Sequence, residues 1–508
     1  MPDVPDSNDT ASASGNLQTT GSTTGHTLTL SGGDVQYRAI AEWTTLRKIH
    51  KPVAHVFHTA YLVDSDDGQD RPLTFVFNGG PGAASAYLHM GALGPQRVAF
   101  GESGSLPAPP VRLVDNVETW LTFTDLVFID PIGTGFSRAI QETSSGSGSS
   151  DGDSNSTDPQ ENPDFWEIDR DLDSLGEFIS RFLSQHHRWT SPLFIAGESY
   201  GGFRVAKMAR SLQQSYGIGL CGALLISPAI EFDGLFGSDY NLTHWTEVFP
   251  SMVAAAYQHG MTRNVPDGIS QSDLMTLAET FATNELPRWL TQGEGLSADE
   301  QSDITTRIAD LTGLSESLVV RAAGRITATT FCRELLREQR RVCGLYDASV
   351  STVDPFPDRD QFEGPDPSLS GLDRLFTGAI NHHLRTTLKV ESDLDYRLLS
   401  MQVHQKWKDE TGDHVFRKLI GAMDDLRYGM SLNPHMQVFI AHGCFDLVTP
   451  YFASRRLARL MKLTPEQKNN LISKKYNGGH MFYSWDESRR LFFDDASEFY
   501  GRAIPAER

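Results

Sequence analysis

A serine between two glycines follows a strongly apolar run in this chain. The letters GESYGG occupy residues 197–202, after the apolar segment PLFIA and before FRVAKMARSL, whose composition suits a helix. A serine in the pattern GxSxG between a strand and a helix lies in a strained turn that presents its hydroxyl above the sheet. The flanking glycines give the backbone room for that turn. Ser199 is therefore a candidate nucleophile, although the short pattern alone often occurs by chance.

A serine hydroxyl is a weak nucleophile at neutral pH, so this chemistry needs a base and an acid that orients the base. Asp446 follows the apolar run QVFIAHG, and His480 lies in YNGGHMFY, 34 residues later. Each residue alone suits an ordinary role, the aspartate in a turn or helix cap and the histidine in a loop. All three follow predicted strand ends in the order Ser, Asp, His, which indicates a catalytic triad.

A glycine-rich segment, NGGPG at residues 78–82, follows the apolar run LTFVF. Successive glycine amides could stabilise a negatively charged oxygen, because no side chain blocks the approach of a reacting group. The amides of Gly80 and Tyr200 would then form an oxyanion hole. The same letters are equally typical of a tight turn, and the segment alone does not separate these two interpretations.

Short apolar runs around these residues predict the sheet that positions them. The runs at 125–130, 192–197 and 223–227 do not alternate, which is typical of strands buried on both faces of a parallel sheet. Between the first two, apolar residues at 165–183 recur at three- and four-residue steps and predict an amphipathic helix. This order predicts an α/β fold, with a mostly parallel central sheet, helices on both faces and a site at the carboxyl ends of the strands.

The remaining segments predict how the chain is divided. Segments 55–63 and 73–77 predict a β-hairpin, and strands are expected near 436–443 and 471–476. Residues 141–162, rich in Ser, Gly, Asp and Asn, predict a mobile surface loop. The buried-strand pattern disappears after about residue 231. We therefore expect a flexible tail at 1–26, a core at 27–230, an inserted, mainly helical cap at 231–400, and the rest of the core at 401–508.

Composition narrows the class of protein. The 508 residues are 39% hydrophobic and 21% charged, as in ordinary globular proteins. The formal net charge of −21 argues against general binding to nucleic acid or anionic membranes. No apolar run could span a bilayer and the first residues do not form a secretion signal, so we expect a cytoplasmic location, or a secreted or periplasmic one if a signal has been removed. The four cysteines lack metal-binding spacing, and the sequence makes no prediction of oligomeric state.

Five sequence blocks together resemble the serine carboxypeptidase family, in that family's order. They are NGGPG at 78–82, DPIGTGFS at 130–137, GESYGG at 197–202, GCFD at 443–446 and GGHM at 478–481. The resemblance implies an α/β-hydrolase fold and hydrolysis of the last bond of peptides with a free C-terminus, through an acyl-enzyme and without metal or cofactor. Alternatives are an acyltransferase or esterase on the same scaffold, or a non-catalytic binding protein.

The resemblance also implies roles for two further residues. Asn78 and Glu198 would bind the terminal carboxylate of the substrate, and because two touching carboxyl groups cannot both ionise cheaply, one would keep a proton. Activity should therefore fall as pH rises. Ala92 stands where many family members have a glutamate that would pair with Glu198, so the dependence on acid should be milder.

Overall fold

The computed structural model describes residues 20–64, 71–140, 163–359, 362–408 and 420–504. Most of the predicted tail and the whole predicted mobile loop at 141–162 lie outside these described residues.

Strands predominate up to residue 140, strands and helices alternate between residues 168 and 258, and helices dominate the segment that follows. The strands are β1 (Ser22–Leu30), β2 (Gly33–Lys48), β3 (Lys51–Val63), β4 (Leu73–Phe77), β5 (Gln96–Val98), β6 (Leu113–Asp115), β7 (Asp125–Ile129), β8 (Arg138–Ala139), β9 (Leu193–Glu198), β10 (Gly222–Ile226), β11 (Arg341–Cys343), β12 (Ser351–Val353), β13 (Gln437–Gly443) and β14 (Leu471–Tyr476). The α-helices are α1 (Ala86–Leu88), α2 (Ile168–Gln185), α3 (Tyr200–Ser215), α4 (Thr243–Gln258), α5 (Gln271–Asn284), α6 (Leu286–Gln292), α7 (Ala298–Thr312), α8 (Glu316–Arg321), α9 (Ala328–Glu334), α10 (Ser370–His382), α11 (Met401–Lys406), α12 (Met423–Leu432), α13 (Tyr451–Leu460), α14 (Pro465–Asn469) and α15 (Asp486–Ala503). Within the described ranges, no helix is both long and apolar enough to cross a membrane.

One large sheet organises the molecule. Its strands lie in the order β1-β2-β3-β7-β4-β9-β10-β13-β14, and β8 pairs with β3. From β7 to β14 neighbouring strands are parallel, whereas β1, β2, β3 and β7 pair antiparallel. Every residue of β4, β7, β9, β10 and β13 is buried, as the uninterrupted apolar runs predict.

Helices cover both faces of this sheet. In β9, Leu193 and Ile195 belong to a hydrophobic cluster that includes residues of α2 and α3. Their neighbours Phe194 and Ala196 belong to a second cluster, which includes residues of α15. Successive side chains of a strand point to opposite faces, so the two clusters are the cores of the two faces. The predicted amphipathic helix is confirmed as α2.

A third hydrophobic cluster is formed mainly by helices that lie between β10 and β13 in the chain. Helices α4 to α9 share it with Phe445 and Leu447, which directly follow β13. Helix α10 differs, because Leu375 and Phe376 pack in the cluster that contains α15. The segment is mainly helical, and its boundaries at 231 and 400 stay a prediction.

The prediction of a flexible tail at 1–26 is wrong for its last residues. Strand β1 begins at Ser22 and pairs antiparallel with β2, with Ser22 opposite Ala41. The segment STTGHTLTL is polar, but its threonines are β-branched and suit an exposed edge strand. The polarity of this segment led to the prediction of a tail, whereas the shape of its threonine side chains favours a strand.

The predicted hairpin between 55–63 and 73–77 is also wrong. Both segments are strands, β3 and β4, but β7 lies between them in the sheet. Strand β3 instead forms a hairpin with β2, through a turn at Ile49 and His50. The fully buried β4 lies among parallel strands, so burial on both faces decides its neighbours rather than proximity along the chain.

Candidate active site

Ser199 occupies a strained turn between β9 and α3. Its backbone φ is 60° and its ψ is −123°, which is costly for a residue other than glycine. The flanking glycines are required by close contacts. A Cβ on Gly197 would lie 2.1 Å from the Gly201 carbonyl oxygen. A Cβ on Gly201 would lie 2.6 Å from the Phe77 carbonyl oxygen. The turn therefore has the geometry that the sequence predicted for a nucleophile.

Asp446 and His480 form a buried pair at the ends of β13 and β14. His480 Nδ1 and Asp446 Oδ2 are 2.7 Å apart. The other oxygen of Asp446 accepts the N–H groups of Val448 at 2.8 Å and Thr449 at 3.0 Å. The Thr449 hydroxyl lies 2.7 Å from Asp446 Oδ2 and 3.0 Å from His480 Nδ1. These contacts fix the carboxylate and the orientation of the ring, as a base and its orienting acid require.

Each member of this pair shifts the pKa of the other. Burial alone would raise the pKa of Asp446, but the charge and hydrogen bond of His480 outweigh it, so this pKa is lowered. Burial alone would lower the pKa of His480, but Asp446 outweighs it with help from Glu198, so this pKa is raised. The aspartate is thus held ionised, and the imidazole is made more basic.

A short segment after β10 connects the serine turn to the histidine loop. The Ser199 N–H donates to the Ile226 carbonyl at 2.9 Å, and the Ala229 N–H donates to the Ser199 carbonyl at 3.1 Å. The Ser227 hydroxyl donates to the His480 carbonyl at 2.7 Å. In the described part of the chain the Ser199 hydroxyl has no hydrogen-bond partner. The structure thus joins Asp446 and His480 by a direct side-chain contact and connects Ser199 to the His480 loop through the segment after β10. A hydrogen bond between a nucleophile and its base often tightens only when substrate binds.

The glycine loop at 78–82 lies directly against the serine turn. A Cβ on Gly79 would lie 2.4 Å from the Tyr200 nitrogen and 2.8 Å from the Gly201 nitrogen. Gly80 has a φ of 98°, which glycine adopts readily. Tyr200 is the first residue of α3, so its N–H has no partner inside the helix. The segment forms a turn, and it also lies beside the Tyr200 N–H, which has no partner inside α3. A tight turn and an oxyanion hole are therefore compatible interpretations of its sequence.

Asn78 and Glu198 touch each other beside this loop. The Asn78 side-chain amide donates to Glu198 Oε2, and its oxygen accepts the Leu88 N–H at 3.0 Å. Glu198 Oε1 is buried and has no partner among the described residues. Burial raises the pKa of Glu198 to about 7, although His480 and Asn78 oppose this rise. The carboxyl group therefore holds a proton in weakly acidic solution and presents an unused oxygen.

Tyr483 is a neighbour of Glu198 that the sequence analysis missed. Its hydroxyl lies close enough to help lower the pKa of Glu198, yet in the described part of the chain neither Tyr483 Oη nor Glu198 Oε1 has a hydrogen-bond partner of normal geometry. The ring packs on Gly91, where an added Cβ would lie 2.6 Å from the ring. Ala92, the position of the absent second acid, is next to Gly91. No signal in the sequence pointed to Tyr483, because its place beside Glu198 arises only from the fold.

Two buried charged groups hold the backbone on either side of the glycine loop. Arg204 donates to the Asn78 carbonyl at 2.6 Å and to the Asp171 carboxylate at 2.7 Å. Asp130, the first residue of DPIGTGFS, accepts the Ser85 N–H at 2.9 Å. That sequence block therefore supports the loop. Like Ser227 and Thr449, Arg204 contacts site residues that are distant in sequence, and the sequence analysis did not identify any of the three.

A sequence profile of the family described as serine carboxypeptidase matches residues 49–493. This chain belongs to the serine carboxypeptidase family. The membership and the observed sheet confirm the predicted α/β-hydrolase fold, with a mostly parallel central sheet. All five sequence blocks lie inside the matched range.

Curated relatives match over shorter segments. A pheromone-processing carboxypeptidase KEX1 of Yarrowia lipolytica is 28% identical over 187 residues, which cover 35% of this chain and 26% of that protein. Serine carboxypeptidase-like 8 of Arabidopsis thaliana is 27% identical over 158 residues, which cover 30% of this chain and 31% of that protein. The matches thus span less than a third of these two relatives. A solved proline iminopeptidase from Mycobacterium smegmatis overlaps with a TM-score of 0.37 at 12% identity, covering 91% of this chain and 98% of that chain.

Proposed function

We propose that this member of the serine carboxypeptidase family removes C-terminal residues from peptides with a free C-terminus, through an acyl-enzyme intermediate. One observation carries the proposal. A buried glutamate, Glu198, whose pKa is raised to about 7 and which is bonded to Asn78, directly precedes the candidate nucleophile. Such a group can bind a carboxylate by sharing its proton, and it places that carboxylate next to the reacting bond.

In this mechanism Ser199, His480 and Asp446 act as the catalytic triad. The Ser199 hydroxyl attacks the carbonyl of the last peptide bond while His480 accepts its proton. Asp446 orients the ring and stabilises the imidazolium. The N–H groups of Gly80 and Tyr200 stabilise the negative oxygen of the tetrahedral intermediate. His480 then protonates the leaving amine, and a water molecule hydrolyses the acyl-enzyme by the same steps in reverse order.

Asn78 and Glu198 select the free C-terminus. The buried Glu198 holds a proton that it can share with the carboxylate of the substrate, and the Asn78 amide, fixed by its bond to the Leu88 N–H, adds a donor. A substrate without a terminal carboxylate would leave the buried Oε1 of Glu198 without a partner, which is costly. The proposed enzyme therefore acts on peptides from the C-terminal end. No structural observation favours the alternative of acyl transfer or ester hydrolysis.

Mass spectrometry of a mixed peptide library tests this proposal. The expected result is the successive loss of single residues from C-terminal ends, abolished in Ser199→Ala. Cleavage within peptides or loss of residues from N-terminal ends would contradict the proposal, as would unchanged activity of the variant. A library left intact by the wild-type protein would contradict it too, and adding simple esters and acyl acceptors would then test the alternative.

A further inference from the structure

Three potential metal ligands meet on the face of the sheet that carries α2. Glu42 of β2 and His58 of β3 are directly paired in the antiparallel register, and His186 directly follows α2. Glu42 Oε1 lies 3.8 Å from His58 Nε2 and 3.8 Å from His186 Nε2. One ligand atom from each residue lies within 4.8 Å of the other two. The proposed active site lies elsewhere, at the carboxyl ends of the parallel strands.

His58 is the member of this cluster that most needs a partner. The residue is fully buried, and its ring packs on Phe178 and Phe182 at centroid distances of 5.0 and 5.6 Å. Within the described part of the chain neither ring nitrogen has a hydrogen-bond partner. An unpaired polar group of this kind in an apolar core costs free energy and calls for an explanation. His186 Nε2 is also buried, and none of the described residues gives it a hydrogen-bond partner.

A simple ion pair does not explain the cluster. The 3.8 Å separations exceed hydrogen-bond length. Two imidazole rings and one carboxylate instead form a donor set that suits a metal ion, because an imidazole nitrogen offers it a lone pair.

We propose that Glu42, His58 and His186 bind a divalent transition-metal ion, such as Zn²⁺. Zn²⁺ accepts two histidine nitrogens and a carboxylate oxygen at about 2.0–2.2 Å, which puts tetrahedral ligand atoms roughly 3.3 Å apart. The two 3.8 Å separations from Glu42 would have to contract by about half an ångström, and the two histidine nitrogens, which lie within 4.8 Å of each other, would have to reach the same spacing. The side chains of Glu42 and His186 are 28% and 16% exposed, which leaves a path for the ion and for a water ligand.

The surrounding charges favour this class of ion over Ca²⁺ or Mg²⁺. Arg188 and Arg38 are close enough to lower the pKa of His186, and the same positive charges oppose any cation. Affinity must therefore come from the nitrogen donors, which suit transition metals, whereas Ca²⁺ and Mg²⁺ prefer oxygen ligands. A bound ion would tie the end of α2 to the β2–β3 hairpin.

Titration of the full-length, chelator-treated protein with Co²⁺ tests the site. We expect one equivalent to bind with visible absorption bands typical of low-coordinate Co²⁺, and Zn²⁺ to displace it. His186→Asn and Glu42→Gln should each weaken binding by roughly 100-fold or more, since even residues behind the ligands contribute about 10–100-fold. The matched control is His187→Asn, because His187 is adjacent, lies outside the cluster and has a positive φ that asparagine tolerates.

Thermal unfolding gives an independent readout. Zn²⁺ at about 100 times its Kd should raise the Tm of the wild type and of His187→Asn by a few degrees, but not that of His186→Asn. The proposal would be overturned if no stoichiometric Co²⁺ binding occurred, or if His186→Asn and Glu42→Gln bound the ion as the wild type does. Neither result depends on peptide hydrolysis, so the metal site and the proposed function are tested separately.

Discussion

Glu198 and Asn78 are the side chains that distinguish the proposed exopeptidase from a general serine hydrolase. Burial raises the pKa of Glu198 to about 7, and its buried Oε1 has no hydrogen-bond partner among the described residues. A terminal carboxylate is the ligand that matches a protonated carboxyl group held in this way. Two consequences for single side chains follow, one for Glu198 and one for Tyr483.

Glu198 should give peptide hydrolysis an alkaline limit. In the proposed mechanism protonated Glu198 binds the substrate carboxylate below pH 7 and repels it once ionised, so kcat/KM should fall about tenfold per pH unit above 7. The acid limit comes from His480, which must be neutral to accept a proton and whose pKa is raised. In Glu198→Gln the alkaline fall should vanish, and kcat/KM at acidic pH should drop roughly 10–100-fold because a charge-assisted hydrogen bond is lost.

The measurement for Glu198 is the pH profile of kcat/KM from pH 4 to 9, for the wild type and Glu198→Gln. An ester without a free carboxylate is the control substrate and should show only the acid limit. A variant that kept the alkaline fall on peptides would show that another group causes it.

Tyr483 should contribute to binding of the terminal carboxylate. Its hydroxyl lies close enough to Glu198 to help lower the pKa of that carboxyl group and has no hydrogen-bond partner within the described ranges, so a carboxylate bound beside Glu198 would accept its hydrogen bond. Tyr483→Phe should therefore raise the KM for peptides about tenfold with little change in kcat. The control is Tyr216→Phe, since the Tyr216 hydroxyl donates to the Asp173 carbonyl at 3.0 Å, away from Glu198. Steady-state kinetics with one dipeptide substrate would decide, and equal KM values for the two variants would exclude this role.

At the scale of elements, the site depends on the contact between two turns. The loop after β4 carries Gly80 and the turn after β9 carries Ser199, and the two parallel strands are direct neighbours. Their turns therefore end at the same edge of the sheet. Backbone lies against backbone there, because a Cβ on Gly79 would lie 2.4 Å from the Tyr200 nitrogen.

Gly79→Ala should consequently impair catalysis without abolishing the fold. The added methyl group must push the glycine loop away from Tyr200, which misplaces the oxyanion donors and should lower kcat about 100–1,000-fold. Gly219→Ala is the control, because a Cβ at Gly219 meets nothing within 4 Å. Kinetics should be paired with circular dichroism to confirm folding. A folded Gly79→Ala variant with wild-type kcat would show that this contact does not shape the site.

At the scale of the whole molecule, the helical segment shares one hydrophobic core with residues that flank Asp446, the partner of His480. Phe445 is fully buried in the cluster formed by α4 to α9, and it directly precedes Asp446. Its N–H donates to the Gly478 carbonyl in the loop that carries His480, at 3.0 Å. The packing of these helices therefore positions both members of the pair.

Phe445→Ala should destabilise the protein and also slow catalysis. The cavity should lower the free energy of unfolding by about 3–5 kcal/mol, and the freed loop should lower kcat. Phe331→Ala is the matched control, since Phe331 of α9 is fully buried in the same cluster but does not adjoin the pair. Denaturant unfolding and kcat should be measured together. Equal kcat for the two variants would show that the core does not position the catalytic pair.

The sequence predicted elements whose signals are local and missed features that arise from distant contacts. The helix α2 and the strand β13 were found because periodicity and apolar runs are properties of single segments. Ser199, Asp446 and His480 stood out because each follows a strand. Tyr483, Ser227 and Thr449 carry no such signal, since only tertiary contacts bring them to the site. The pairing of β3 was mispredicted for the same reason, because strand order in a sheet depends on burial across the whole molecule.

The most direct test of the central claim compares one peptide in two forms, with a free C-terminal carboxylate and with a C-terminal amide. Release of the last residue, or of its amide, should be followed by mass spectrometry below pH 7, with Ser199→Ala as control. We predict that the wild type shortens the free acid at least about 100-fold faster than the amide, and that the variant shortens neither. Equal rates for the two forms, or undiminished activity in Ser199→Ala, would contradict the account.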